Sequence, residues 1–327
     1  MAAISFRNNL WQARIRRKGT PTITRSFRTR KDAEQWARSV ETSIDQGVYS
    51  GPIRAQRITL ADLIDRYLSE VTPNLKGARD DTIRLNAIKR HSLCSTLVTE
   101  VSAQRVAAYR DERIKQVGPG TVIRELAYLS AIINHARREW NIQIENPVSR
   151  VRRPTAPPGR DRVLSASEQT RLLSALQPTG RRNPWMLPLV ELALETAMRR
   201  SELLKLRWID VNLLKRTATL HDTKNGQGRV VPLSSRAAQI LSSLPRHIDG
   251  VIFPIRHFSV AAAFGRALRR EEIEDFRFHD LRHTAITRMA TKLPNLIELA
   301  AVSGHKSLRM LQRYYHPRAE ELALKLG

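Results

Sequence analysis

The apolar positions of this chain change period several times, and each change marks an element. Near the start, SFRNNLWQARIRRKG and TITRSFRT alternate residue by residue, which predicts strands joined by turns at Asn8-Asn9 and at Gly19 to Pro21. The spacing then becomes helical. Ala33, Trp36, Ala37 and Val40 line one face of a helix from Thr29 or Arg30 to about Gln46, with Gly47 as its stop. A small three-stranded sheet packed on one helix is the expected result. Residues 48–57 form a Gly- and Pro-bearing linker, after which four helical patterns follow: Thr59 to Ser69, Ala78 to His91, Ser102 to Val117, and Thr121 to Trp140. Leu63, Ile64, Tyr67 and Leu68 stripe the first of these, and Val122, Leu126, Leu129, Ile132, Ile133 and Ala136 stripe the last. Thr59 with Asp62 reads as a capping pair, and Ser102 as an N-cap.

A second linker, VSRVRRPTAPPGRDR from Val148 to Arg162, is stiffened by Pro154, Pro157 and Pro158. Beyond it, Ser165 and Glu168 form a capping box for a helix to Leu176, and a second helix runs from about Pro184 to Thr196. Strands in RTATLHD and GRVVPL flank a hairpin turn at Lys224, Asn225 and Gly226, and helices follow at Ser235 to Leu244 and Ser259 to Arg270. The expected fold is mainly α with small β-sheets. Three domains are expected: a basic amino-terminal one over 1–50, a helical one over 57–148, and a mostly helical one with a small sheet over 160–327.

Charge narrows the function. A net charge of +25 over 327 residues calls for a polyanionic partner, and nucleic acid fits best. From Ala2 to Lys31 there is no acidic residue, and Arg14 and Arg16 alternate with Ala13 and Ile15, so the sheet presents a basic face. Arg14, Arg16, Arg17 and Lys18, with Arg152 and Arg153 of the second linker, are the candidate DNA contacts. One cysteine, Cys94, rules out an internal disulfide or a thiolate zinc cluster and suits a reducing cytoplasm. No apolar run approaches the ~18 residues of a membrane span, and no signal peptide is expected. Acidic pairs such as Asp80-Asp81 read as solvated helix faces, so no metal or other cofactor is expected.

The chemistry concentrates in FHDLRHTAITRMATKLPNLIELAAVSGHKSLRMLQRYYHP. His279 and Arg282, three apart, share a helix face. His305 and Tyr314, nine apart, would diverge on one unbroken helix, so a break at Ser303-Gly304 is expected. Ser307 would then cap a new helix, with Tyr314 two turns into it. A free tyrosine is a weak nucleophile, about 0.1% phenolate at neutral pH, and needs cations or a base beside it.

Four motifs in register carry a resemblance, TAMRRSELLKLRW, TKNGQGRVVPL, HDLRHTA and SGHKSLRMLQRYYHP, and within them stand Arg199, Lys224, His279, Arg282, His305 and Tyr314 in that order. In these the chain resembles the tyrosine recombinases, specifically the phage-type integrases, over its whole length. The resemblance implies a site-specific recombinase that cleaves and rejoins double-stranded DNA attachment sites through a 3′-phosphotyrosyl link. Arg199 and Arg282 would clamp the scissile phosphate, Lys224 would protonate the departing 5′ oxygen, and Tyr314 would attack. His279 and His305 would divide phosphate binding and the tyrosine proton between them, in an order left open. Glu202 would support an arginine or a helix end. A homo-tetramer on DNA, accessory DNA-bending or directionality proteins, and docking of the tail AEELALKL on a neighbouring subunit are further expectations. Two departures from the family pattern stand out. Ala197-Met198 replaces the commoner Gly-Leu, and Ser303 replaces a leucine, a change expected to loosen the turn before His305. The competing readings are a type IB topoisomerase-like enzyme, which reseals the original strand, and a regulator that binds DNA on the same fold without catalysis.

Overall fold

The computed structural model describes residues 2–16, 22–45, 57–221, 228–314, 323–324 and 326–327. The chain divides into two compact units, residues 1–158 and 159–327, and each is built around its own apolar clusters.

The first unit opens with an antiparallel meander of β1 (Ala3–Arg7), β2 (Leu10–Ile15) and β3 (Ile23–Phe27). Asn8 and Asn9 both take positive φ, 49° and 59°, which is the tight-turn geometry that asparagine tolerates better than most residues. Pairing of Ala13 with Ile4 and Arg25, and of Ile15 with Ile23, sets the register. Alternation then works as expected: Ala13 and Ile15 are buried, and Arg14 and Arg16 are exposed. α1 (Arg30–Asp45) closes the buried face with Ala33, Ala37 and Val40, the small alanines letting the helix approach the sheet.

A helical body follows, made of α2 (Leu60–Glu70), α3 (Ala78–Lys89), α4 (Ala103–Arg113) and α5 (Pro119–Arg138). Every residue of the α5 stripe named above is buried. The caps form as the sequence implies. Thr59 Oγ1 accepts from the Asp62 N–H at 3.1 Å while the Asp62 carboxylate accepts from the Thr59 N–H at 2.8 Å, and Ser102 Oγ accepts from the Arg105 N–H. Such caps contribute about 1 kcal/mol each. Cys94 is buried, in the 3-10 turn Ser92–Ser95.

In the second unit α6 (Ala166–Ala175), with its Ser165–Glu168 capping box, packs with α7 (Met186–Thr196) and α10 (His257–Arg270). α8 (Arg200–Lys205) leads to a second antiparallel sheet, β4 (Val211–Asn212), β5 (Thr217–Leu220) and β6 (Arg229–Pro232), and α9 (Ser235–Ser243) packs on α7. α11 (Asp280–Lys292) lies along α7, and α12 (Leu296–Ser303) runs beside it. No described helix is long and apolar enough to cross a membrane.

One expectation fails in the last segment. Ser307 has an extended backbone but caps nothing with its side chain, and the described residues from Leu308 to Tyr314 form two three-residue 3-10 turns, Leu308–Met310 and Gln312–Tyr314. The reason lies in packing. At three residues per turn, Leu311 and Tyr314 face the same way and both dock on the small cluster of Ala197, Ala285, Ile286 and Leu299. Tyr315 and most of the tail lie outside the described residues.

Candidate active site

The site is assembled where three chain breaks meet: the end of α7, the start of α11 and the end of α12. α7 stops at Ala197, which takes a left-handed conformation with φ 53°. α12 stops at Gly304, with φ 71°. Both turns aim backbone carbonyls inward, and Arg282, in the first turn of α11, fills the space between them. Its Nη1 donates to the Ala197 carbonyl and its Nη2 to the Ser303 carbonyl, each at 2.6 Å. Two of five N–H donors are thus committed to positioning, leaving the rest for a ligand. Burial, with the nearby charge of Arg199, lowers its pKa to about 10, so it remains charged at neutral pH.

Arg199 stands at the N-terminus of α8 with its Nη1 on the Glu202 carboxylate at 2.7 Å, and its own backbone N–H on the same carboxylate at 2.8 Å. Glu202 is buried and also receives both ends of Arg229, at 3.0 and 2.9 Å. Burial works to raise its pKa, but the hydrogen bonds from Arg229 and from Arg199 outweigh that and hold it at about 2. Glu202 therefore supports Arg199, and it also supports Arg229, a residue that sequence reasoning missed. The Arg229 guanidinium lies so close to Gly304 that a Cβ there would come within 2.8 Å of it, a second demand for glycine besides the positive φ.

Ser303 does not loosen its turn as expected. It is fully buried, and its hydroxyl donates to the Leu299 carbonyl at 2.6 Å, its one proton being spent there. The 2.8 Å contact to His305 Nδ1 must then run from the imidazole to the serine oxygen. Ser303 thus fixes the Nδ1–H tautomer and leaves His305 Nε2 as an acceptor. Burial, followed by the charges of Arg282 and Arg199, lowers the His305 pKa to about 4 and keeps the ring neutral.

Arg199, His279, Arg282 and His305 line one cleft of about 720 Å³, which Arg200 and Lys306 also border. The Tyr314 hydroxyl meets a different partner, His283 Nδ1, with the two rings stacked at 5.9 Å between centroids and 29° between planes. His279 packs edge-on against His283 at 5.6 Å. Burial raises the Tyr314 pKa, with Arg313 and Arg282 working against it. His283 was not singled out from the sequence, although it follows Arg282 and sits one helical turn after His279.

Lys224, Arg17 and Lys18 lie outside the described residues, while Arg152 and Arg153 are exposed in the first unit. Among the described residues no group of three or more His, Cys, Asp or Glu could hold a metal ion.

Comparison with known proteins agrees with this geometry. Residues 162–321 match the phage integrase family and residues 56–154 match the phage integrase N-terminal domain. The chain is 40% identical to the shufflon-specific DNA recombinase of Escherichia coli over 84% of its own length and 73% of that protein's. In fold it is similar to a lambda integrase dimer bound to a COC′ core site, with TM-score 0.66 and 21% identity over 97% of this chain and 95% of that one. A lambda integrase tetramer bound to a Holliday junction matches with TM-score 0.64 and 21% identity, over 93% of this chain and 95% of that one. The chain belongs to the phage integrase family and is a tyrosine-type site-specific DNA recombinase.

Proposed function

We propose that the protein integrates or excises a mobile element by cutting each DNA strand with Tyr314, holding it as a 3′-phosphotyrosyl link, and passing it to a partner strand. The observation that carries this reading is the convergence of Arg199, Arg282, His279 and His305 on one cleft, with the Tyr314 hydroxyl held by His283 of α11. Guanidinium groups fixed in place by Glu202 and by backbone carbonyls can meet the two non-bridging oxygens of a phosphodiester without reorganising. The charge of a bound phosphate opposes the effect of Arg282 and Arg199 on His305, and the imidazolium it favours donates from Nε2 to that phosphate. Lys224 supplies the proton for the 5′ oxygen. Arg14, Arg16, Arg17 and Lys18 contact an outlying DNA segment, Arg152 and Arg153 of the basic linker track phosphates, and residues 1–50, 57–148 and 160–327 act as arm-binding, core-binding and catalytic domains. Assembly as a tetramer on DNA is supported by the likeness to the lambda integrase tetramer bound to a Holliday junction, and accessory DNA-bending or directionality proteins set direction.

The test is a nicked duplex whose cut strand loses a short fragment on cleavage, so that the covalent adduct accumulates. An adduct on Tyr314 with a free 5′-hydroxyl and subsequent joining to a second duplex are expected. Efficient relaxation of a plasmid that lacks any selected site, with no joining between duplexes, would instead establish the topoisomerase reading.

A further inference from the structure

We propose that His283 is the group that takes the phenolic proton of Tyr314 during strand cleavage. This rests on Tyr314 being the nucleophile, as proposed above. His283 Nδ1 and Tyr314 Oη are hydrogen-bonded, and the stacked rings hold that pair in one orientation. No other histidine is bonded to the hydroxyl among the described residues. His305 has its Nδ1 on Ser303, and His279 touches His283 edge-on instead of the tyrosine.

The direction of the bond follows from the two partners. Burial, and then the charges of Arg313 and Arg282, lower the His283 pKa against the opposing pull of Asp280, while burial raises that of Tyr314. At neutral pH the imidazole is uncharged and the phenol protonated, so Tyr314 donates and Nδ1 accepts. The charged groups facing this imidazole are Asp280 and Arg282 of its own helix, Arg313 of the terminal segment and Arg160 of the stretch before α6, with the rings of His279 and His305 nearby. When the Oη–P bond forms and the P–O5′ bond breaks, the proton moves from Oη to Nδ1. His283 becomes imidazolium, and O5′ leaves with the proton that Lys224 supplies. Rejoining runs the same transfers backwards, His283 returning the proton to Tyr314. The Arg282 guanidinium, bonded to carbonyls on both sides of α11, keeps the helix start in register with the hydroxyl while this happens.

The full chain is tested on a nicked duplex recovered by selecting covalent adducts of the wild-type protein from a pool of randomised duplexes. His283→Ala should bind this duplex normally yet form adduct about 100-fold more slowly at neutral pH, the low end of what a general base contributes. Added imidazole should restore part of the rate, and the defect should shrink by roughly tenfold per pH unit as hydroxide replaces the missing base. His283→Asn keeps an acceptor oxygen that takes no proton, and should be as slow as the alanine variant. Nitrogen-15 spectra of the histidine rings in the DNA-free protein should show His283 Nδ1 without a proton. Several results overturn the proposal: either variant cleaving at or above the wild-type rate, a defect that neither imidazole nor pH relieves, or a protonated Nδ1 in the free protein. Failure of the underlying reading looks different, because the wild-type adduct would then map to a residue other than Tyr314 before any variant was made.

Discussion

Two buried glutamates, one in each unit, make nearly the same bonds and lead to opposite outcomes. In the helical body, Glu125 receives the Tyr109 hydroxyl at 2.8 Å and Arg113 through Nε at 3.0 Å and Nη2 at 2.7 Å. Arg113 spends its remaining terminal nitrogen on Gln116. Burial, followed by the hydrogen bond to Glu125, pushes the Tyr109 pKa far up, so this tyrosine stays protonated and inert. In the second unit Glu202 also gathers two cationic donors, Arg199 and Arg229, but the set is open. Arg199 uses one guanidinium nitrogen and its backbone N–H on Glu202, and Arg229 Nε is buried with no partner among the described residues. The lesson is that burial and charge pairing do not by themselves mark a reactive site. What marks it is donors left over after the carboxylate is satisfied, together with a tyrosine that faces a base rather than an anion.

Exchanging phenol for phenyl is the severest way to break this comparison. Tyr314→Phe should bind DNA and give no covalent adduct at all, as read by gel after denaturation. Tyr109→Phe should keep full adduct formation per folded molecule and lower stability by about 1–2 kcal/mol in urea unfolding, the cost of a lost buried hydrogen bond. Next in size is the carboxylate itself. Both Glu202→Gln and Glu125→Gln should destabilise by about 3 kcal/mol, because each leaves half-buried arginine charge without its buried carboxylate. Only Glu202→Gln should also slow cleavage, by on the order of 100-fold, through a misplaced Arg199.

The same carboxylate gives the fold a pH dependence. Its folded pKa of about 2 lies below the ordinary value of 4.5, so its stabilising contribution is present above pH 4.5 and disappears as pH falls toward 2. The amount is about 3 kcal/mol for a difference of roughly 2.5 pKa units. Denaturant titrations of the wild type and Glu202→Gln should converge across that window, and curves that stay parallel down to pH 2 would refute the linkage. A smaller effect is expected at Ser303→Ala, which removes the acceptor for His305 Nδ1–H and frees the tautomer. Cleavage should drop about fivefold, in keeping with one hydrogen bond of about 1 kcal/mol, with DNA affinity unchanged. Smallest of all is Ala197→Gly. Relief of the left-handed strain, about 1 kcal/mol, is offset by the loss of a buried methyl worth about 0.8 kcal/mol, so the unfolding midpoint should barely move.

How much of this was legible depended on whether the signal was local. The α5 stripe, the Thr59, Ser102 and Ser165 caps and the asparagine turn were readable because each is written within a few neighbouring residues. Arg199 and Glu202 were readable as a pair three apart. Arg229 was not, since its partner is 27 positions away and its own setting looks like ordinary strand alternation. His283 did carry a signal, the spacing of one helical turn from His279, but its meaning depends on where Tyr314 docks. That docking was misread because helical periodicity was assumed after Ser307, whereas a spacing of three suits the 3-10 turns that bring Leu311 and Tyr314 onto one cluster. The expectation for Ser303 failed for a related reason. A small hydroxyl at a helix end reads as looseness until a carbonyl four residues back and an imidazole two residues on are both known to touch it.

Gly304 bears on how this sequence is free to drift. A library randomised at that one codon should return glycine alone: other side chains must adopt a left-handed backbone and also displace the Arg229 guanidinium. Changing Arg229 to make room offers no escape, because Arg229 and Arg199 share the two oxygens of Glu202. Four positions spread over more than a hundred residues of chain are thereby fixed to one another by an atom that is missing, and neutral change in this corner of the enzyme has to be simultaneous or not happen.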